Sequence, residues 1–186
     1  MTRKSILACV LTGIFLLASG TAFAQETSET HAAHVGINPF GWLYGAYRVE
    51  AGVPLNQYFE IAGQLNYFNA KQFRSLWGAD TDNYNNRLTT GGVFRLFPGG
   101  ESKGFFVSGR LMYLQFTHVE DGIEDSTTDV SAGVDLGWRI KFSFDAPVGM
   151  FVQSFLGLER FILSGGDIGD YLPILPVAGL HLGVTF

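Results

Sequence analysis

The sequence predicts an all-β fold, an eight-stranded antiparallel up-and-down transmembrane β-barrel, from three observations. Charged residues form only 16% of the 186-residue chain, whereas soluble proteins average about 25%. No apolar run after the N-terminus reaches the roughly 18 residues that a membrane helix needs. Polar and apolar residues alternate along most of the chain, which is the period of a β-strand. Because hydrocarbon accommodates only helices and closed barrels, apolar composition without an apolar run predicts a barrel.

Residues 1–24 have the three parts of a secretory signal peptide. Arg3 and Lys4 supply the positive start, and residues 6–18 supply the apolar stretch. Ala22-Phe23-Ala24 is a small-x-small cleavage site. The sequence therefore predicts export and removal of this segment.

Cleavage would leave a mature chain that starts at Gln25 and has two parts. Residues 25–33 are polar and are predicted to be disordered, and residues 34–186 are predicted to form one barrel domain. Cys9, the only cysteine, would be removed, which excludes disulfide and thiolate chemistry. Loss of two basic and no acidic residues would change the formal net charge from −5 to −7, which argues against nucleic acid as a partner.

Alternation defines eight strands in order along the chain. A first strand is expected at residues 34–40, although Pro39 and Gly41 interrupt it. The others are expected at residues 43–53, 58–70, 87–97, 105–119, 130–142 and 151–163, and along the C-terminal segment to Phe186. The pattern is cleanest in residues 130–142, where Leu136 lies on the apolar face and Arg139 on the opposite one.

The connections between these strands alternate in length. Short connections are expected at residues 56–57, 98–103 and 145–149, and longer polar ones at 71–86, 120–126 and 164–171. Outer-membrane barrels have short periplasmic turns and longer extracellular loops. An even number of strands places both termini in the periplasm, so the long loops are expected outside the cell.

Aromatic residues are expected in two girdles, because such rings favour the boundary between hydrocarbon and water. The periplasmic girdle is predicted to contain Tyr58, Phe59, Phe94, Phe97, Phe105, Phe106, Phe142 and Phe186. The extracellular girdle is predicted to contain Trp42, Tyr44, Tyr67, Phe68, Tyr113, Phe116, Phe161 and Tyr171.

The C-terminal residues resemble a known assembly signal. Leu180, Leu182, Val184 and Phe186 alternate with small or polar residues and end in an aromatic ring. This ending is similar to the signal that outer-membrane barrels present to the barrel-assembly machinery. The size of the chain resembles the OmpA transmembrane domain and OmpX, which are eight-stranded barrels.

Short internal motifs carry a second resemblance, which spans the mature chain. They are Asn38-Pro39-Phe40-Gly41, Phe97-Pro98 and Lys103-Gly104-Phe105-Phe106-Val107. These motifs resemble a family of small bacterial outer-membrane barrels of unknown function. The resemblance implies a fold and a location, and it implies no activity.

If the apolar faces point outward, the inward faces collect nine ionisable side chains. They are Arg48, Glu50, Glu60, Arg95, Arg110, Asp135, Arg139, Lys141 and Glu159. An eight-stranded barrel has an interior that side chains just fill, and buried charges must be paired. The sequence therefore predicts a paired charge network in the lumen. A narrow channel or conduit for small solutes is the alternative interpretation.

No catalytic constellation is evident, so we expect no enzymatic activity, cofactor or metal. Barrels that resemble lipid A deacylase need a serine close to a histidine on one strand and an acid that orients the histidine. His118 is followed by Val119 and Glu120 without such a serine. His31 and His34 have a spacing compatible with metal binding, but two ligands without partners are a weak signal. A lipid A-modifying enzyme is therefore the second alternative.

These patterns together predict a protein of the bacterial outer membrane with a structural or surface-interaction role. Its expected partners are outer-membrane lipid and lipopolysaccharide and, during biogenesis, the barrel-assembly machinery. Residues 120–126 are acidic and are expected to form a solvated loop. Residues 71–86 carry aromatic rings that suit contact with an external partner or packing over the barrel mouth. The sequence does not identify that external partner.

Overall fold

The computed structural model of the chain describes residues 33–76, 78, 84–120, 123–142, 148–164 and 174–186. The predicted signal peptide lies outside these residues, as does the predicted disordered segment up to residue 32. Among the described residues, no helix has the length and apolarity that crossing a membrane requires.

Eight antiparallel strands and two short helices make up the described chain. The strands are β1 (His34–Ile37), β2 (Ala46–Pro54), β3 (Phe59–Phe68), β4 (Tyr84–Leu96), β5 (Gly104–Glu120), β6 (Ile123–Phe142), β7 (Gly149–Ser164) and β8 (Leu175–Thr185), and the helices are α1 (Pro39–Leu43) and α2 (Ala70–Leu76). Each strand pairs with its neighbours in sequence, and β1 pairs with β8 to close the barrel. The predicted all-β, eight-stranded antiparallel barrel is confirmed.

The two ends of the barrel differ, and we name them by what they hold. The terminal end holds His34, Phe186 and the connections after β2, β4 and β6. The hairpin end holds α1, α2 and the connections after β5 and β7. The turn after β4 requires glycine at Gly100 and Gly104, whose φ angles of 74° and 79° L side chains rarely adopt.

The first strand is shorter than predicted, because a helix cap ends it. The prediction placed a strand at residues 34–40, but β1 ends at Ile37. Asn38 adopts an extended conformation and its Oδ1 accepts a hydrogen bond from Gly41 N at 3.1 Å. Pro39 occupies the first turn of α1, where its missing N–H costs nothing.

A second helix replaces part of a predicted strand and loop. The prediction placed a strand at residues 58–70 and a loop after it, whereas β3 ends at Phe68 and α2 begins at Ala70. Asn69 Oδ1 accepts from Gln72 N at 3.1 Å, which caps the first turn. The Tyr47 hydroxyl donates to Gln72 Oε1 at 2.6 Å and fixes α2 to β2.

The prediction of a long loop at residues 120–126 was wrong. Strand β5 continues to Glu120 and β6 starts at Ile123, with Glu120 paired to Ile123. Ser126, Thr127 and Thr128 follow the acidic residues, and β-branched threonines favour strands. Paired backbone thus extends across a stretch whose composition alone indicated a solvated loop.

The burial pattern has a period of two along much of the wall, most clearly in β6. In β6, Val134, Leu136 and Trp138 are exposed, and the last two retain 56% and 55% of their surface. Asp135 and Arg139 on the same strand are buried. In this strand the outer face is therefore apolar and the inner face carries charged side chains.

Two aromatic residues predicted for the periplasmic girdle lie inside the barrel instead. Phe97 and Phe106 are fully buried, and their ring centroids are 5.4 Å apart. Strand geometry explains the correction, because adjacent residues point to opposite faces. Phe105 is exposed on the outer wall, so Phe106 must point inward.

Candidate functional site

A cluster of six ionisable side chains fills the lumen near the terminal end. We call it the Glu60 cluster, and it consists of His34, Glu50, Glu60, Arg95, Arg139 and His181, all buried. Strands β1, β2, β3, β4, β6 and β8 each contribute one of them. The alternation of each strand directs these side chains to the barrel axis, where the lumen is narrow enough for them to meet.

Two arginines neutralise two glutamates at the centre of this cluster. Arg95 Nη2 lies 2.5 Å from Glu50 Oε2, and Arg95 Nη1 lies 2.8 Å from Glu60 Oε1. Arg139 makes a bidentate pair with Glu60, at 2.5 Å to Oε2 and 2.9 Å to Oε1. Arg139 Nε also donates to Gln153 Oε1 at 2.8 Å. The four charges cancel, as buried ions require.

Two histidines flank the carboxylates of the Glu60 cluster. His34 Nε2 is 3.4 Å from Glu50 Oε1, and its Nδ1 is 3.6 Å from Glu60 Oε2. His181 Nδ1 is 3.7 Å from Glu50 Oε2. The part of the chain that the structure describes contains no group of three or more residues placed to hold a metal ion. Both histidines are polar neighbours of Glu50, and His34 also lies beside Glu60.

Aromatic rings pack around the two arginines. The guanidinium carbon of Arg139 is 5.0 Å from the Phe97 ring centroid and 5.1 Å from that of Phe151. Arg95 lies 5.6 Å over the Phe106 ring. Cation–π contacts of this kind are strongest where water is excluded. Charges and rings thus form one packed plug across the terminal end of the lumen.

A second charged group, the Arg110 cluster, consists of Arg110, Asp135 and Glu159. Arg110 Nη2 is 2.9 Å from Asp135 Oδ1, and its Nε is 3.6 Å from Glu159 Oε2. The Ser108 and Ser131 hydroxyls donate to Asp135 Oδ2 at 3.1 Å and to Glu159 Oε1 at 2.6 Å. Asp135 precedes Arg139 on β6, so this cluster lies nearer the hairpin end.

The other two predicted network residues stand apart from both clusters. Arg48 Nε donates to Asn66 Oδ1 at 2.7 Å, and its guanidinium lies 5.3 Å over the Phe155 ring. Lys141 is half-buried near the terminal end and donates to the backbone carbonyl of Glu101 at 3.1 Å. The nine predicted residues therefore divide into two clusters and two separate cations.

Sequence reasoning left several buried polar residues out of the predicted network, among them Gln64, Asp129, His34, His181 and Gln153. His34, His181 and Gln153 are fully buried beside Glu50 or Arg139. His181 shares the inward face of β8 with Gly179 and Gly183, so alternation alone could have included it. His34 required the register of β1, which pairs His34 with Thr185 and Gly52.

Little open volume remains between the clusters. A cavity of about 10 Å³ is lined by residues of both, including Arg95, Arg110, Asp135 and Gln153. A space of that size holds about one water molecule. The Gln153 Nε2 and Arg95 Nε atoms are buried without a hydrogen-bond partner among the described residues, so polar groups face this space.

The four residues of the predicted assembly signal lie on the outer face of β8. Leu182 and Val184 are exposed, Leu180 is half-buried, and Phe186 directly follows the strand. The Phe186 ring is 51% exposed, and its backbone N donates to Ala33 O at 2.9 Å. Phe186 thus extends the pairing between β8 and β1 by one hydrogen bond.

His118 lies at the hairpin end on β5. Its ring contacts the Asn85 side chain, and its register partner on β6 is Asp125. The positions one and two residues along from it are Val119 and Glu120, so β5 offers no serine beside it. An acyl-transfer site needs both groups within hydrogen-bond reach.

The lumen arrangement neutralises charge and excludes space, and its acids and bases are engaged with one another. The ionisable side chains of the two clusters come from all eight strands of the barrel. No family model, curated protein or solved structure matches the chain. Function is therefore inferred from the geometry of the barrel.

Proposed function

We propose that the chain is a bacterial outer-membrane β-barrel protein with a structural or surface-interaction role, whose lumen is closed by a paired charge network. One observation carries the proposal: the barrel is apolar outside and charged inside. Glu50 and Arg139 have 0% and 1% exposure, while Leu136 and Trp138 remain more than half exposed. In water this distribution would be costly, and in a bilayer it is the expected one.

The outer wall is apolar around most of the barrel, which supports a lipid environment. Exposed apolar side chains on its strands are Ile61, Phe94, Leu96, Phe105, Val107, Leu111, Tyr113, Val134, Leu136, Trp138, Ile140, Phe142, Met150, Leu156, Leu158, Ile162, Leu182 and Val184. Arg160 is exposed on β7 near the hairpin end, where a long cationic side chain can reach lipid headgroups. Soluble proteins rarely expose contiguous apolar patches beyond a few hundred Å².

The packed lumen favours the proposal of a closed barrel and disfavours the alternative of a conducting channel. Charged side chains and the rings of Phe97, Phe106 and Phe151 occupy the axis near the terminal end. A conducting pore needs a continuous polar path wider than a single water. The cavity of about 10 Å³ that described residues line between the clusters has room for only about one water molecule.

The hairpin end supports the surface-interaction part of the proposal. Strands β5 and β6 pair from Phe116–Thr127 to Glu120–Ile123, beyond the last pairing of β6 with β7 at Asp129. With both termini in the periplasm, this hairpin would project from the cell surface. Glu124 and Asp125 are exposed on it, and Ile123 is exposed near its tip.

Cell fractionation and bilayer recording test the proposal together. An epitope inserted between β5 and β6 should be detected on intact cells, and the band from outer membranes should shift mobility on heating. Purified protein in planar bilayers should give no conductance steps. Recovery in the soluble periplasmic fraction would overturn the membrane assignment, and stable conductance would overturn the closed lumen.

A further inference from the structure

The barrel wall is incomplete on one side of the hairpin end, because β1 is much shorter than its neighbours. Pairing between β1 and β8 stops at Ile37 and Leu182, but β8 continues to Leu175. On its other edge, β8 stays paired with β7 from Thr185 to Leu175. One edge of β8 between Leu175 and His181 therefore has no strand partner in the part of the chain that the structure describes.

The size of this seam follows from strand geometry. A missing strand separates β8 from β2 by two strand spacings, about 10 Å. The unpaired edge of β8 is about 23 Å long at about 3.3 Å per residue. Helix α1, which contacts both β2 and β8, is about 7 Å long at 1.5 Å per residue. The helix is therefore too short to cover the whole edge.

The composition of β8 fits an edge strand. Pro176 lies in its unpaired part, and proline is confined to edge strands or bulges because it cannot donate to the sheet. Inside a bilayer, unpaired backbone is tolerated only where protein buries it or where it lines a polar cavity. The seam thus requires either protein that covers it or a polar surface behind it.

That polar surface is the Arg48 guanidinium. Arg48 projects from β2 behind the seam to β8, where a Cβ on Gly179 would stand 2.9 Å from Arg48 Nη1. The same Cβ would meet the Phe155 ring at 2.4 Å, so glycine leaves room there for both the ring and the guanidinium. Nη1 is buried and has no hydrogen-bond partner among the described residues. Asn66 satisfies Nε, and Phe155 packs below the plane of the group.

We infer that the seam between β2 and β8 is a lateral port that binds an anionic amphiphile from the outer leaflet. A carboxylate or phosphate head accepts hydrogen bonds from Arg48 Nη1, and the apolar chain stays outside, along Leu180 and the exposed side chains of α1, including Trp42. Arginine suits this role, because its planar donors match such heads. The inference rests on the proposed membrane location.

Quenching of Trp42 fluorescence tests the port directly. The mature chain with Trp77→Phe and Trp138→Phe keeps Trp42 as its only tryptophan and is refolded into zwitterionic lipid vesicles. Bromo-dodecanoate and bromo-dodecyl phosphate are each expected to quench it saturably. Matched bromo-dodecanol, which lacks the charge, is expected to quench only in proportion to its partitioning.

Variants of Arg48 test whether saturable quenching depends on its guanidinium. Arg48→Met should raise the half-quenching concentration about tenfold, the loss typical of one charge-assisted hydrogen bond. Arg48→Lys should retain most of the binding. Arg160→Gln, which removes an exposed arginine from the outer wall of β7, should leave it unchanged. An unchanged midpoint in folded Arg48→Met would overturn the port.

Heat-modifiable mobility in the same samples separates the possible failures. A chain that never inserts into vesicles contradicts the proposed membrane function. An inserted chain that is quenched equally by the acid and the alcohol contradicts the port alone. If Arg48→Met does not fold, the comparison of the acid with the alcohol on Arg48-containing protein still decides the question.

Discussion

Glu60 is the residue on which the closed lumen depends most. Its two oxygens receive hydrogen bonds from Arg95 and Arg139, and His34 lies beside them. The three partners come from β4, β6 and β1, so one carboxylate on β3 links its neighbour β4 with two strands that are not adjacent to β3. Removing any partner leaves a buried charge incompletely compensated, which costs more than the pair contributes when intact.

Arg139→Ala should therefore lower the free energy of unfolding by about 3–5 kcal/mol. It would leave Glu60 with a single arginine and would remove the guanidinium from between Phe97 and Phe151. Urea titration of the refolded barrel in lipid vesicles measures this. Lys141→Ala, at the half-exposed cation of the same strand, is the control and should cost less than about 1 kcal/mol. Equal losses in the two variants would mean that water screens the Glu60 cluster.

Glycine positions in the wall provide a second test at the residue scale. A Cβ on Gly137 would stand 2.3 Å from the Phe106 ring and 2.4 Å from Ser154 O, whereas one on Gly109 meets nothing within 4 Å. Gly137→Ala should destabilise the barrel by about 1–3 kcal/mol through overpacking. Gly109→Ala should be neutral or slightly stabilising. The same urea titration ranks them, and the reverse order would contradict the packed lumen.

At the scale of elements, alternation predicted the strands well and the helices poorly. A period of two identifies β6 from its own residues, because Leu136 and Arg139 need opposite environments. Helix α1 depends on a cap made by Asn38 and on contact with Ala46, and five residues carry no helical period. The extension of β5 and β6 depends on pairing between them, which an acidic composition conceals.

The depth of a strand residue in the bilayer should determine how much an arginine there destabilises the barrel. Leu136 pairs with Val107 and Leu156 near the middle of the wall, whereas Ile162 lies near the hairpin end of β7, close to Arg160. Leu136→Arg should cost about 2–4 kcal/mol of folding free energy in lipid, and Ile162→Arg about 0–1 kcal/mol. Vesicle titrations of both variants measure the difference. A larger loss for Ile162→Arg would place the hydrocarbon nearer the hairpin end.

For the whole molecule, closure joins residues far apart in sequence. Strand β1 pairs with β8, so His34 and Thr185 become neighbours. Alternation predicted most of the buried charges, because each strand fixes its own two faces, but it missed Asp129. It could not predict that Glu60 meets both Arg95 and Arg139 while Arg48 lies outside both clusters, because those contacts depend on the register of eight strands and the tilt of the strands. The seam beside β8 likewise follows from the length of β1, which only the folded chain defines.

Phe186 provides the test of how the barrel reaches its closed state. Its backbone N donates to Ala33 O, and its exposed ring lies on the outer face at the terminal end. Deleting Phe186 removes one exposed ring and one backbone hydrogen bond, so the refolded protein should lose only about 0.5–1.5 kcal/mol. If the ring is also part of an assembly signal, insertion in cells should fall several-fold more than this small loss explains.

Two measurements on the same variants separate assembly from stability. Heat-modifiable mobility of protein from outer membranes reports insertion in cells, and urea titration of protein refolded into vesicles reports stability. Phe186→Tyr, which keeps a terminal aromatic ring, should insert normally, and Phe186→Ala should behave like the deletion. Normal insertion of the truncated chain would remove the assembly role. Parallel losses in both measurements would make Phe186 a structural residue that closes β8 against the start of β1.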